Sequence, residues 1–160
     1  MNISKFGAVV VLAACSNGVA TEDLKLTKEQ FQGAWQCSSV LSVSKLDSVT
    51  IYGPDGSFTG FANSITISDV DASSVEFDLY VSGSWILEGH SLLTDIGYFD
   101  VLPKSAASNK HLANVKKVLD DPAMKHSKQE IVFLNSTTME MRNNKGTVQT
   151  CYKAASAEKI

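Results

Sequence analysis

From Ala34 onward the chain falls into short strand-like runs separated by turn signals, a pattern that admits little besides an antiparallel sheet folded on itself. The runs are Trp35 to Val43, Ser48 to Tyr52, Ser57 to Ile67, Ser74 to Ser82, Trp85 to Glu88 and Leu92 to Leu102. Val75, Phe77, Leu79 and Val81 alternate with Glu76, Asp78, Tyr80 and Ser82, which gives that strand one buried and one wetter face. Gly53-Pro54-Asp55-Gly56 supplies a tight turn, with Pro fixing φ and Gly taking the left-handed position. "GPDGSFTGF" and "VSGSWILEG" echo each other, each placing Gly-Ser-aromatic after a turn, and read as a recurring hairpin start in a meander. Ile131 to Arg142 and Thr147 to Lys153, joined by Asn143-Asn144-Lys145-Gly146, form a closing hairpin.

Helical signals are fewer. Thr27-Lys28-Glu29-Gln30 is a capping-box pattern opening one short turn that stops at Gly33. Ser108 to Leu119 sets Leu112, Val115 and Leu119 on one face and Lys110 and Lys117 on others, and Asp120-Asp121-Pro122 ends it. Twelve residues with three lysines fit packing on the body of a domain better than lying on a membrane. With 160 residues and 44% hydrophobic content, the chain has the length and composition of one globular domain. Its net charge of −3 lacks the basic footprint of a nucleic-acid binder.

The N-terminus is a different kind of segment. Met1 and Lys5 give a positive start, Phe6 to Leu12 an apolar run, and Ala13-Ala14 small residues before Cys15, the three-part plan of a secretory signal. The run is too short to cross a bilayer, which takes about 20 residues. A buried N-terminal strand is the weaker reading, because Ser, Asn and Gly follow at once. Leu12-Ala13-Ala14-Cys15 closely resembles the lipobox of bacterial lipoproteins. The resemblance implies cleavage before Cys15 and acyl chains on that residue, with Ser16 directing transfer to the outer membrane. Two or three chains hold a protein firmly to a bilayer. The expected organisation is a signal peptide over 1–14, lipidated Cys15 and a tether over 15–26, a β domain over 27–155 and a disordered tail over 156–160.

If Cys15 carries lipid, Cys37 and Cys151 remain as a pair in an oxidising compartment, where a disulfide is expected. A bridge there would bring the first and last strands together. Metal binding is the weak alternative, because neither thiol has a nearby CxxC or paired His. One conflict stands. Val148 and Tyr152 share a face of the last strand and Cys151 lies on the other, whereas Cys37 shares a face with Trp35. If Trp35 and Val148 both point inward, the sulfurs disagree unless a bulge, or a strand turned towards the helix, intervenes.

Many short antiparallel strands with the first and last pinned together point to a closed barrel or a tight sandwich, and since closure removes unpaired edges the expected fold is an all-β, antiparallel meander barrel of about eight strands with one inserted amphipathic helix. Gly33-Ala34-Trp35, placed after a short helical turn, resembles the G-x-W signature of lipocalins, and "DGSF" and "SGSW" are similar to segments of small bacterial lipocalin-like proteins. The resemblance covers residues 27 to 153. It implies that Trp35 closes the barrel floor and that Arg142, the lone arginine, lies across it as a cation–π partner. It also departs from the family, whose main helix follows the barrel strands.

Little here supports catalysis. Ser42-Val43-Ser44-Lys45 matches the bare S-x-x-K pattern, but on a strand Ser and Lys at that offset face opposite ways. Glu88 and His90 read as a solvated strand end, and His111 and His126 have no ligand spacing. Asn135-Ser136-Thr137 is a formal glycosylation acceptor that reads as accidental. The expectation is therefore a non-enzyme without cofactor or metal: an outer-membrane-anchored periplasmic lipoprotein binding a small apolar ligand or lipid through Trp35, Phe77, Leu79, Trp85 and Phe99. The alternative is a structural or interaction lipoprotein with a packed barrel and an envelope protein partner. A ligand-sized interior cavity discriminates the two.

Overall fold

The computed structural model describes residues 26–41, 43–67 and 74–154. The signal-like stretch, Cys15, Ser42 of the S-x-x-K match and the tail over 156–160 lie outside the described residues.

A one-turn helix α1 (Lys28–Phe31) leads into five strands: β1 (Gly33–Leu41), β2 (Ser44–Tyr52), β3 (Ser57–Ile67), β4 (Ser74–Glu88) and β5 (Ser91–Pro103). Helix α2 (Ala106–Leu119) and the short α3 (Pro122–Lys125) follow, and then β6 (His126–Asn135), β7 (Thr138–Asn143) and β8 (Val148–Lys153). Each strand pairs antiparallel with the next and β8 pairs back onto β1, so the eight strands close into a barrel. The expected all-β meander with one inserted helix is the observed fold, with α2 between the fifth and sixth strands.

The strand count agrees with expectation through two offsetting differences. Ser74 to Ser82 and Trp85 to Glu88 are one continuous strand, β4. Ile131 to Arg142 belongs to two strands, β6 and β7, reversed at Ser136-Thr137, where Asn135 Oδ1 accepts from the Thr137 amide at 2.9 Å. Of the two echoing segments, the first starts β3 after a turn as expected. The second lies inside β4, and its Gly83 faces a β-bulge. A Cβ there would run into the carbonyl of Asp95, so glycine is required by close backbone approach and not by a turn.

The walls are uneven. β5 pairs with β6 only over Ser91–Asp95, and β1 pairs with β8 only from Trp35 to Ser38. Strands β6 to β8 therefore wall the end of the barrel where β1 begins. Beyond them β5 runs on to Pro103, and α2 packs there against β4 and β5. Its N-cap is Ser105, whose Oγ accepts from the Ser108 amide at 3.0 Å. Ser108, fully buried, accepts the Glu76 amide on Oγ at 2.9 Å, at the level where the β4–β5 ladder has run out. Leu112, Val115 and Leu119 pack on a cluster of Val75, Phe77 and Val101, as the sequence periodicity predicts.

The sulfur conflict resolves without a bulge between β1 and β8. Cys37 and Cys151 are register partners, both buried and joined in a disulfide. The premise about Val148 is what fails. Val148 and Tyr152 point outward, 41% and 57% exposed, and the inward face of β8 carries Gln149, Cys151 and Lys153.

Candidate functional site

One end of the barrel is sealed. The capping box of α1 forms as expected: Thr27 Oγ1 accepts from the Gln30 amide, and the Gln30 side chain accepts from the Thr27 amide. This short turn drives Phe31 into the barrel, where it has no exposed surface and meets the rings of Trp35, Tyr52 and Trp85 at centroid distances of 6.2, 4.5 and 5.2 Å. The indole N–H of Trp35 donates to the Phe31 carbonyl at 2.7 Å, and that of Trp85 to the Gly53 carbonyl at 3.1 Å. Both buried indoles are thus satisfied and the floor is a packed core. Leu26, placed in the tether on sequence grounds, is buried in the same cluster. Burial also pushes the Tyr52 phenol well above its ordinary value of 10.0, against a smaller opposing effect of a hydrogen bond with Thr50.

Trp35 does close the floor, but Arg142 is not its cation. Arg142 is exposed on the outer face of β7, with Nη2 donating to Glu140 Oε2 at 2.9 Å. Lys153 takes the position instead. It is the register partner of Trp35, its Nζ stands 5.5 Å from the ring centroid, and it donates to the Gln30 carbonyl at 2.9 Å. The cause is the same inversion of β8: with Cys151 inward, Lys153 faces inward too, and Arg142 lies opposite the outward Val148.

The other end is open and holds a cavity of about 590 Å³. Its strand walls are Leu46 from β2, Ala62, Ser64 and Thr66 from β3, and Val75, Phe77, Leu79 and Val81 from β4. The fourth wall is α2, through His111, Asn114, Val115, Val118 and Leu119. This volume lies within the range of small-molecule sites, and a mostly apolar lining with few polar groups is their usual character. Polarity is graded along it. Ser64 pairs with Phe77 and Thr66 with Val75 at the mouth, whereas deeper down Ala62 faces Leu79 and Gly60 faces Val81.

Of the residues expected to bind ligand, Phe77 and Leu79 line this cavity. Trp35 and Trp85 do not, because they are consumed in the floor. Phe99 packs with the Val75–Phe77–Val101 cluster that seats α2, and Lys125 Nζ stands 6.0 Å from its ring. His111 and Asn114 were not expected. Their helical placement is readable from sequence, but the position of α2 across the mouth depends on the short β5–β6 seam.

The remaining polar groups form no reactive constellation among the described residues. Glu88 and His90 are exposed at the β4–β5 turn. His126 Nδ1 lies 3.4 Å from Asp95 Oδ1, both exposed. Lys45 pairs with Asp47 at 2.6 Å. Asp78 is held below the usual carboxylate range first by the Asn63 amide, at 3.0 Å, and then by Lys104, at 3.2 Å. No described cluster of three or more His, Cys, Asp or Glu could hold a metal ion. Among the described residues no helix is long and apolar enough to cross a membrane.

No protein-family model and no curated protein matches the chain. Among solved structures, it is similar to a lipocalin-like protein from Bacteroides uniformis, with 14% identity and a TM-score of 0.37, over 78% of this chain and 99% of that one. The barrel assignment stands on strand order and register.

Proposed function

We propose that the protein is a lipid-anchored binding module that holds a small apolar or amphipathic molecule in the mouth of its barrel, without catalysing a reaction. The observation that carries this reading is the open, largely apolar cavity of about 590 Å³ between β2, β3, β4 and α2. A barrel of eight strands either fills itself with side chains or keeps room for one ligand. This one fills its floor and leaves its mouth open. The secretory plan of residues 1–15 and the lipobox-like Leu12-Ala13-Ala14-Cys15 support an anchor in the bacterial outer membrane with the barrel facing the periplasm. Native mass spectrometry of the full chain, released from membranes in mild detergent, tests the binding reading. A co-purifying lipid-sized mass is expected, and a clean apo mass that no added apolar compound shifts refutes it. Cys15→Ser tests the anchor: the variant leaves the membrane fraction, and unchanged fractionation refutes lipidation.

A second reading, an interaction lipoprotein with an envelope protein partner, is favoured by one surface. Val49, Phe61 and Tyr80 are register neighbours on the outer face of β2, β3 and β4, each 38–44% exposed, with Ile51 beside them. Crosslinking in intact envelopes that captures a protein with the parent chain, but not with Phe61→Glu, supports that reading. Equal capture by both refutes it.

A further inference from the structure

Charge is distributed unevenly along this chain, and the uneven part lies at the cavity. Between residues 104 and 128 there are six lysines (Lys104, Lys110, Lys116, Lys117, Lys125 and Lys128) against Asp120 and Asp121. That is a local balance of +4 in a chain of net charge −3, so the rest of the sequence together carries −7. The basic segment is the one that forms the helical wall of the mouth. Within the described residues Lys104 is engaged by Asp78 and Lys125 by Asp120, while Lys110, Lys116 and Lys117 are exposed on α2.

Helical spacing places two of these next to the cavity. Lys110, Asn114 and Lys117 follow at i, i+4 and i+7 and so share one side of α2. Asn114 lines the cavity, as do His111 and Val118 in the adjacent row. The hydrogen-bonding groups of the lining are Ser64 and Thr66 of β3 and His111 and Asn114 of α2, and Lys110 and Lys117 share the Asn114 side of the helix. Elsewhere in the lining Ala62, Leu79 and Val81 offer only hydrocarbon. Hydrocarbon beside hydrogen-bonding groups and the α2 lysines matches an amphiphile with its tail among the apolar residues, and those lysines favour an anionic head.

Resting on the binding reading above, we infer that the ligand is a single-chain amphiphile with an anionic head, carboxylate or phosphate, seated tail-first with its head at the α2 rim between Lys110, Asn114 and Lys117. His111 and Asn114 donate hydrogen bonds to the head, and the two lysines supply charge that salt screens.

The test uses the full chain carrying Cys15→Ser to remove the anchor, with four compounds of known chemistry. Tetradecanoate and tetradecyl phosphate are the two anionic arms, tetradecanol is the neutral control of equal chain length, and phosphatidylglycerol vesicles represent a membrane surface. At low salt at least one anion binds about tenfold tighter than tetradecanol, and added salt narrows the gap. Lys110→Glu with Lys117→Glu removes the preference for the anion over tetradecanol. In NMR, a spin label near the head of a bound stearate broadens the His111 and Asn114 amides, and a label near its tail broadens Ala62 and Val81. Equal affinity for acid and alcohol, unaffected by the double substitution, overturns this inference while leaving apolar binding intact. A reversed broadening pattern overturns the orientation, and lysine-dependent binding to vesicles without any monomer in the cavity reassigns the basic rim to a membrane surface. Failure of all three single-chain compounds to bind overturns the binding reading along with it.

Discussion

Cys37 and Cys151 stand opposite each other across the β1–β8 seam, register partners 114 residues apart in sequence and the one covalent link across the shortest pairing that joins the first strand to the last. The barrel is closed there by few backbone bonds, so the disulfide contributes by limiting how far the unfolded chain can separate its ends. A loop of this length is worth about 4–5 kcal/mol in the chain-entropy account. Reduction is expected to lower stability by that order in chemical denaturation followed by tryptophan fluorescence. A reduced protein with an unchanged midpoint would show that the seam holds without the bridge.

The floor contact of Lys153 predicts a contrast between two cations. Lys153→Met removes a charge held over Trp35 and bonded to the Gln30 carbonyl, and should cost about 0.5–1 kcal/mol. Arg142→Met removes an exposed charge paired with Glu140 on the outer face and should stay within about 0.5 kcal/mol. Thermal melts of the two variants side by side decide it, and the opposite ranking would restore arginine to the floor.

These two residues also show where the sequence could and could not be read. Alternation in β4 was legible because its apolar residues, Val75 and Phe77, do face inward. In β8 the same rule points the wrong way, since Val148 and Tyr152 are exposed and the inward positions hold Gln149, Cys151 and Lys153. A short strand is oriented by its covalent and register constraints, and here the disulfide outweighs the hydrophobic pattern. Phe77 and Leu79 were legible as cavity residues for the same reason that β4 was. Trp35 was legible as the floor residue but not as absent from the cavity lining, and Trp85 was placed in that lining too, because the sequence pattern does not say which end of a barrel is filled, and that depends on Phe31 of α1 entering the floor.

Tyr52 predicts an alkaline limit. Its buried phenol is neutral in the folded protein and ionises near 10 once unfolded, so the folded state binds the extra proton above that pH. The stabilising effect is complete below pH 10 and is lost progressively as pH rises above it. Urea midpoints of the parent chain should fall between pH 10 and 11 more steeply than those of Tyr52→Phe. Parallel curves would mean that the phenol is reached by water in the folded state.

Ser108 joins α2 to the end of β4, and its loss should be felt locally and globally. In Ser108→Ala the half-buried Glu76 amide loses the acceptor supplied by the buried Ser108 hydroxyl, which costs about 1 kcal/mol. Hydrogen exchange at Glu76 should accelerate in the variant while exchange in the floor strand around Trp35 holds, because the two lie at opposite ends of the barrel. Uniform acceleration across both would mean that α2 is integral to global unfolding and does not seat independently.

Ala62 is the position at which occupancy of the mouth can be blocked with least disturbance to the wall. It faces Leu79 across the β3–β4 ladder and lines the cavity with only a methyl group, so Ala62→Phe projects a ring into empty space from a strand position that favours aromatic residues. Filling a void removes the usual penalty of overpacking, and the unliganded variant should melt within about 1 kcal/mol of the parent chain. Binding of a neutral apolar dye should fall at least tenfold, because the ring occupies the hydrocarbon part of the site. Phe31→Ala gives the complementary result: truncating a fully buried ring in the floor costs about 3–5 kcal/mol, while the folded fraction keeps its dye affinity. Calorimetric melts and dye titrations on both variants separate the two ends of the barrel, and a dye that still binds Ala62→Phe with full affinity would place its site outside this cavity.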